Sequence, residues 1–450
     1  MLIAAGVILF SICFAYLAWR NLLWATAALV ALLPTYLLRF SIGPIPMTLL
    51  EVMVLILFAV WIVKLKMRNE KIKNALKNLK SNNWWRLIIA WLVFATISLF
   101  ISPDLRAASG VWKAYFIEPI LFLIVFLNVV KTRKDFDLIF YALGVSALYI
   151  SVFAIYQKFT GFAIPNPIWQ AAETRRVTSF YGYPNAIGLY LAPIIVLYIG
   201  WLISKFQDFR QGRIRLGQTS FKFQKTLLLN FKPLLFQLSI IILSSLAVVF
   251  ARSEGAYVGI LAGLFFLGLM TKKLRWPTVA AAIIFVLVMA LVPGFRHYSY
   301  EQLTFQNDSG KVRLIMWRET WQMLKGRFLS GAGLAGYQET FAPFHKTKYI
   351  EIYLYPHNLF LNFLSEIGLG GLIVFLLITI KFFKDSVKKF LATRQPLFIT
   401  LSAVMITIIV HGLVDVPYFK NDLAILFWLI IGLSIFNFQK LPRHRTSGSR

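Results

Sequence analysis

An all-α, polytopic transmembrane helical bundle is the fold class this 450-residue sequence predicts, and three observations predict it. The chain is 59% hydrophobic and 14% charged, against about 45–50% and about 25% in an ordinary soluble chain. Its apolar residues are grouped in runs close to the roughly 20-residue length that spans a bilayer. Its basic residues concentrate in every second connector rather than over one surface.

Apolar spans are expected near 2–19, 22–38, 47–63, 87–101, 114–130, 136–157, 185–204, 234–251, 256–270, 278–293, 357–380, 397–414 and 422–438. The first two are separated only by Arg20 and Asn21, so the bundle has 12 or 13 spans and the side of the N-terminus stays open. No small-residue cleavage site precedes soluble sequence, so the first apolar run is read as retained. Strongly basic connectors fall at 64–86, 131–134, 205–232, 272–275, 381–394 and the tail from Lys440, and hold most of the 47 lysines and arginines. Lys and Arg accumulate on cytoplasmic loops, so these connectors and the C-terminus are expected to face the cytoplasm. The formal charge of +29 thus reports topology and attraction to anionic lipid headgroups rather than nucleic-acid binding. A single cysteine, Cys13, excludes a disulfide framework or a cysteine-based zinc site.

The outward-facing segments are then 102–113, 158–184, 252–255, 294–356 and 415–421. The large extracytoplasmic loop 294–356 is the longest, a length that is uncommon without structure of its own. Val312, Met316, Trp317, Thr320, Trp321 and Leu324 recur at helical spacing and predict a short amphipathic helix over 312–324. With no internal repeat and no soluble segment, residues 1–450 read as a single integral membrane domain.

Candidate chemistry gathers on that outer face. His357 follows Pro356, which is tolerated only in a first helical turn, so His357 is expected at a helix N-terminus. There the dipole disfavours its protonated form, and neutral imidazole can act as a general base. Gly368 and Gly371 recur within about 20–40° of its helical face and predict a close-packed stripe. The alternative is a boundary histidine that anchors the helix in the headgroups. Arg176, Arg252 and Arg313 carry guanidinium forks that match phosphate oxygens, or else snorkel at the interface. Asp415, four residues after His411, is placed to orient His357 or an arginine, or to cap its connector. Glu366 is expected inside the membrane, bonded internally. No metal-ligand spacing occurs at the outer face, so no metal or other cofactor is expected.

These residues resemble the O-antigen ligase and O-antigen polymerase superfamily of bacterial polysaccharide assembly over roughly residues 170–440. The resemblance rests on His357-Asn358 followed by Gly368-x-x-Gly371, and on Arg313-x-x-x-Trp317 followed by Gly331-x-Gly333-x-x-Gly336. Arg176 before Pro184-Asn185 and His411-Gly412-Leu413-Val414-Asp415 complete it. The family commonly has Ser-Arg-Gly where this chain has Ser253-Glu254-Gly255; its arginine stands two positions earlier, at Arg252.

What the resemblance implies is a metal-independent, inverting membrane glycosyltransferase. Its donor would be a glycan on undecaprenyl pyrophosphate at the outer face of the bacterial cytoplasmic membrane, its acceptor a glycan, lipid or protein hydroxyl. His357 would be the catalytic base. Arg313, with Arg252 or Arg176, would hold the pyrophosphate; Asn358 and Asp415 would position these groups; Glu254 would touch a sugar hydroxyl. Ligase, polymerase and protein O-glycosyltransferase remain open, as do a lipid-linked glycan flippase or exporter and a structural membrane subunit. A transport path predicts polar residues through the membrane depth, whereas here polarity gathers at one face.

Overall fold

The computed structural model describes residues 2–43, 45–210, 220–347 and 350–436. The middle of the 205–232 connector and the tail from Lys440 lie outside the described residues, and with them the expected C-terminal charge cluster. The chain is all-α apart from one hairpin among the described residues.

Two apolar helices, α1 (Leu2–Arg20) and α2 (Leu22–Ala31), are separated by Asn21, whose side chain caps α2. The expected span 22–38 is corrected here. Ten helical residues reach only about 15 Å, and Pro34 turns the chain into a 3₁₀ segment, Leu33–Leu37. An antiparallel hairpin follows, β1 (Arg39–Ile42) and β2 (Ile45–Thr48). Thr48 and Glu51 form a capping box that opens α3 (Leu49–Met67). Short helices α4 (Ile72–Ala75) and α5 (Lys77–Ser81) lead to α6 (Trp84–Ile101).

Residues 102–113, expected as a connector, are mostly helical. Asp104 caps α7 (Leu105–Val111), which continues through a π turn, Trp112–Ile117, into α8 (Glu118–Val129). Pro119 lacks an N–H and crowds the carbonyl four residues back, which widens the turn. That carbonyl, on Tyr115, accepts from the Tyr418 hydroxyl at 2.7 Å instead.

The chain continues through α9 (Arg133–Thr160), α10 (Pro167–Gln170), α11 (Asn185–Arg210), α12 (Ser220–Ala251) and α13 (Glu254–Met270). Next come α14 (Arg275–Leu291), which buries no residue, and α15 (Pro293–Leu303), bent from it at Pro293. The expected amphipathic helix is α16 (Asp308–Lys325), with Met316, Thr320, Met323 and Leu324 buried. After α17 (Tyr337–Phe341) come α18 (Leu359–Thr393), α19 (Pro396–His411) and α20 (Asn421–Ile435).

Six helical units among the described residues are long and apolar enough to cross a membrane, and a seventh if α14 and the bent segment after it count as one. They are α6, α7–α8, α9, α11, α12 and α18; α1, α2, α13, α19 and α20 are shorter and apolar. This is a multi-pass membrane architecture.

Small residues set the packing that matters for the site. Gly255, Gly259 and Gly263 of α13 lie against His411, Thr407 and Ala403 of α19, where a Cβ would collide with helix backbone or side chain. On the other side of the bundle, Trp91 is fully buried among Phe116, Phe363, Phe375 and Tyr418, with ring centroids 5.1–6.5 Å apart. Tyr418 belongs to the connector between α19 and α20, so this aromatic core fixes the segment that carries Asp415.

α18 is two half-helices. Gly368 has φ 65° and ψ −176°, a conformation open essentially only to glycine. The loop 328–335 fills the break: Leu369 N donates to Phe328 O at 3.2 Å and Ala332 N to Ser365 O at 2.6 Å. Glu366 accepts from Ala335 N at 2.7 Å, the internal bond expected of it. The glycine stripe expected below His357 is therefore corrected. Gly368 serves a crossing of helix and loop, not a smooth helical face.

Candidate active site

Four helix ends and two connectors enclose a cavity of about 280 Å³. Arg176, Arg252, Arg313, Glu254 and Asp415 all line it, together with Asn185, Ser253, Asn307, Ser309 and His411. The N-termini of α11, α13 and α16 border it, through Asn185, Ser253 and Asn307 respectively. Helix N-termini carry partial positive charge and unpaired N–H groups, so together with three guanidinium groups they favour an anion.

The three arginines are held differently. Arg176 donates Nε to Ala251 O at 3.0 Å and one terminal nitrogen to Asn185 Oδ1 at 3.0 Å and Arg252 O at 3.2 Å. It thereby closes the carbonyl end of α12. Arg313 donates Nε to Val414 O at 3.0 Å, which leaves its terminal nitrogens for a ligand. Arg252 sits in the break between α12 and α13 with φ 50°. In a continuous helix its two-position offset would swing the side chain about 200° away. The break removes that constraint, and Arg252 lines the cavity with the other two.

Glu254 accepts from the Tyr298 hydroxyl and from Gln302 Nε2, both at 3.1 Å. It ties α13 to α15 at the cavity rim.

His357 joins this group through Asp415. Its Nδ1 is buried 3.6 Å from Asp415 Oδ1 and has no hydrogen-bond partner among the described residues, which leaves Nε2 as the nitrogen to meet a substrate. The rings of Tyr353 and Tyr355 pack edge-on to the imidazole, with centroids 5.2 and 5.0 Å away. The expected position in the first helical turn is corrected. His357 has φ 47° and precedes the N-cap, Asn358, whose Oδ1 accepts from Phe360 N and Leu361 N. Helix dipole arguments therefore belong to Asn358 and not to the imidazole.

Asn358 also donates Nδ2 to Leu413 O at 2.9 Å, beside the bond from Leu359 N to Gly412 O at 2.7 Å. These two bonds lock the start of α18 to the segment that carries His411 and Asp415. Trp317 Nε1 donates to Pro356 O at 2.8 Å and fixes the chain just before His357 from the side of α16. Burial alone would raise the Asp415 carboxyl. The imidazoles of His357 and His411 and the N–H of Val416 outweigh it and hold the group well below the usual carboxylate range.

The structure thus brings together all seven residues singled out in the sequence, drawn from stretches more than 200 positions apart. Residues 239–376 match the family described as O-antigen ligase. That match, over about a third of the chain, supports the resemblance to the O-antigen ligase and polymerase superfamily. No curated protein matches it. Arg252, Glu254, Arg313, His357 and Asn358 lie inside the matched residues, whereas Arg176 and Asp415 lie outside them.

Sequence reasoning missed His411, Asn185 and the N-terminus of α16 as walls of the same cavity. His411 had a signal, its four-residue spacing to Asp415. Asn185 donates to Asp415 Oδ2 at 3.4 Å, a contact no local pattern announces.

Proposed function

We propose that this O-antigen ligase-type membrane enzyme transfers a glycan from an undecaprenyl-pyrophosphate donor to an acceptor hydroxyl, at the outer face of the cytoplasmic membrane, without a metal and with inversion. The observation that carries the reading is the His357–Asp415 pair beside a cavity with three arginines and three helix N-termini.

In this reaction the acceptor oxygen attacks the anomeric carbon from the face opposite the pyrophosphate. The new C–O bond forms as the anomeric C–O bond to phosphate breaks, and its electron pair leaves on the pyrophosphate. The acceptor proton passes to His357 Nε2. Asp415, ionised and buried, orients Nδ1 and stabilises the imidazolium that forms; a base–carboxylate contact that is long in the free enzyme tightens in the reacting complex. Arg313 and Arg252 meet charge developing on the leaving group in a partly sheltered cavity, where such stabilisation is strongest. Asn358 and Arg176 hold the frame. The outer-face assignment rests on the basic connectors, whose charge favours the opposite side.

The test is transfer by purified protein from a lipid-linked glycan donor to an acceptor, with EDTA present. Product with an inverted linkage is expected, and a His357→Ala variant loses it by about 10²–10⁴-fold. Loss of product on EDTA treatment, or normal turnover by the variant, overturns the mechanism.

A further inference from the structure

A second cavity, of about 340 Å³, opens on the other side of the catalytic histidine. Tyr355, whose ring packs on His357, lines it, and its hydroxyl is bonded to that of Tyr183 at 3.0 Å. Asp415 faces the arginine cavity while Tyr355 faces this one, so His357 stands between the two. Five tyrosines line the second cavity, Tyr36, Tyr115, Tyr181, Tyr183 and Tyr355, among several apolar residues. Its rim carries two cations, Arg39 from the N-terminal hairpin and Lys420 from the α19–α20 connector.

Neither cation is in an ion pair among the described residues. Lys420 Nζ lies 4.0 Å from the centre of the Tyr183 ring, and the Arg39 side chain is solvent-exposed. Burial pushes the Lys420 ammonium down to about 8, against Asp422 and Asp415, which leaves it charged at neutral pH. Glu366, the carboxylate lining the same cavity, is occupied by Ala335 N.

Tyrosine faces combined with a few directed polar groups suit the C–H face of a hydroxylated sugar ring, and two cations in no direct ion pair suit an anionic substituent on it. We infer that this cavity is the acceptor pocket and that Arg39 and Lys420 select a sugar carrying an anionic group, a carboxylate or a phosphate. The name acceptor pocket rests on the transferase reading; the preference for an acidic sugar does not. Arg39 and Lys420 both lie outside the residues matched to the family, so this selectivity would belong to the flanking parts of the chain.

The experiment is an equilibrium titration of the purified full chain, in discs of zwitterionic lipid, with glucuronate, glucose 6-phosphate and glucose. At least one acidic sugar is expected to bind about tenfold more tightly than glucose at low salt. Glucuronate as the preferred probe identifies a carboxylate, and glucose 6-phosphate a phosphate. In an Arg252→Gln, Arg313→Gln background, which weakens anion binding in the other cavity, the further Arg39→Gln, Lys420→Gln double variant should bind all three alike, while the background alone keeps the preference. Arg39 is exposed, so its single variant supplies the same reading if the double variant fails to fold. Equal binding of all three sugars by the unaltered chain overturns the proposal, as does an acidic preference that survives the double variant. Binding is read without turnover: a chain that keeps the preference but transfers no sugar sinks the transferase reading alone. A working transferase without the preference sinks only this one.

Discussion

His357 and Asp415, 58 positions apart, meet at 3.6 Å between Nδ1 and Oδ1, with the carboxylate fully enclosed and the imidazole partly open. The pair is assembled by backbone: Leu359 N on Gly412 O and Asn358 Nδ2 on Leu413 O hold the two segments in register. Asp415→Asn is expected to lower kcat by about 10²–10⁴-fold with a smaller effect on donor KM, as when a triad carboxylate is neutralised. Its carboxyl lies below the usual range, so its contribution to stability is complete above the unfolded pKa, about 3.9. That contribution is lost only as pH falls through the lower folded value, and any acidic limb of activity above pH 5 therefore comes from another group. A rate profile from pH 5 to 9 on wild type and variant checks both points.

The arginines separate structure from binding. Arg252 has no protein partner for its guanidinium among the described residues, so Arg252→Ala should change thermal stability by no more than about 0.5 kcal/mol while weakening donor use. Arg176→Ala removes two bonds at the end of α12 and one to Asn185 of α11, and should lower the melting temperature as well. Melting in detergent beside transfer kinetics distinguishes the two. Equal melting losses would show that Arg252 is structural too.

Gly368 is where α18 breaks and the 328–335 loop crosses it. Gly368→Ala places a Cβ against the backbone of Leu329 and forces a residue with a side chain to φ 65°, at a cost of about 1–3 kcal/mol from the backbone alone. Gly371→Ala crowds the Ile367 side chain but has no positive φ to maintain and should lose less. Comparing the two variants' melting temperatures tests whether the break, rather than a smooth glycine face, is what the sequence encodes.

Glu319 of α16 clamps the far end of the large loop. It accepts from His345 Nδ1 at 2.9 Å, Lys346 N at 3.1 Å and Thr347 Oγ1 at 3.1 Å. Burial works to raise its carboxyl, but these donors outweigh that and leave it below the ordinary range. The clamp is therefore complete above the unfolded glutamate pKa of about 4.3 and loosens as pH falls through the lower folded value. Amide exchange in residues 342–347 should be slow at pH 7 and rise in strongly acidic buffer, once corrected for intrinsic rates. In Glu319→Gln it should already be faster at pH 7.

The sequence by itself determined the membrane class, the helical bundle, an amphipathic helix over 312–324, found at Asp308–Lys325, and the seven candidate site residues. Each of these depends on local composition and spacing: apolar length, 3.6-residue periodicity, and side chains whose chemistry is unusual beside a membrane. The tertiary structure alone decided where helices break and what fills the breaks. Pro119 and Gly368 announce an interruption, but Tyr418 and the 328–335 loop, which satisfy the freed backbone groups, come from distant sequence. It also decided which arginine closes a helix end, which has no guanidinium partner among the described residues, and that His357 lies beside Asp415 and ahead of the N-cap rather than in the first helical turn. Those outcomes depend on contacts between segments from about 35 to about 300 residues apart, and a one-dimensional pattern carries no record of which distant groups will meet.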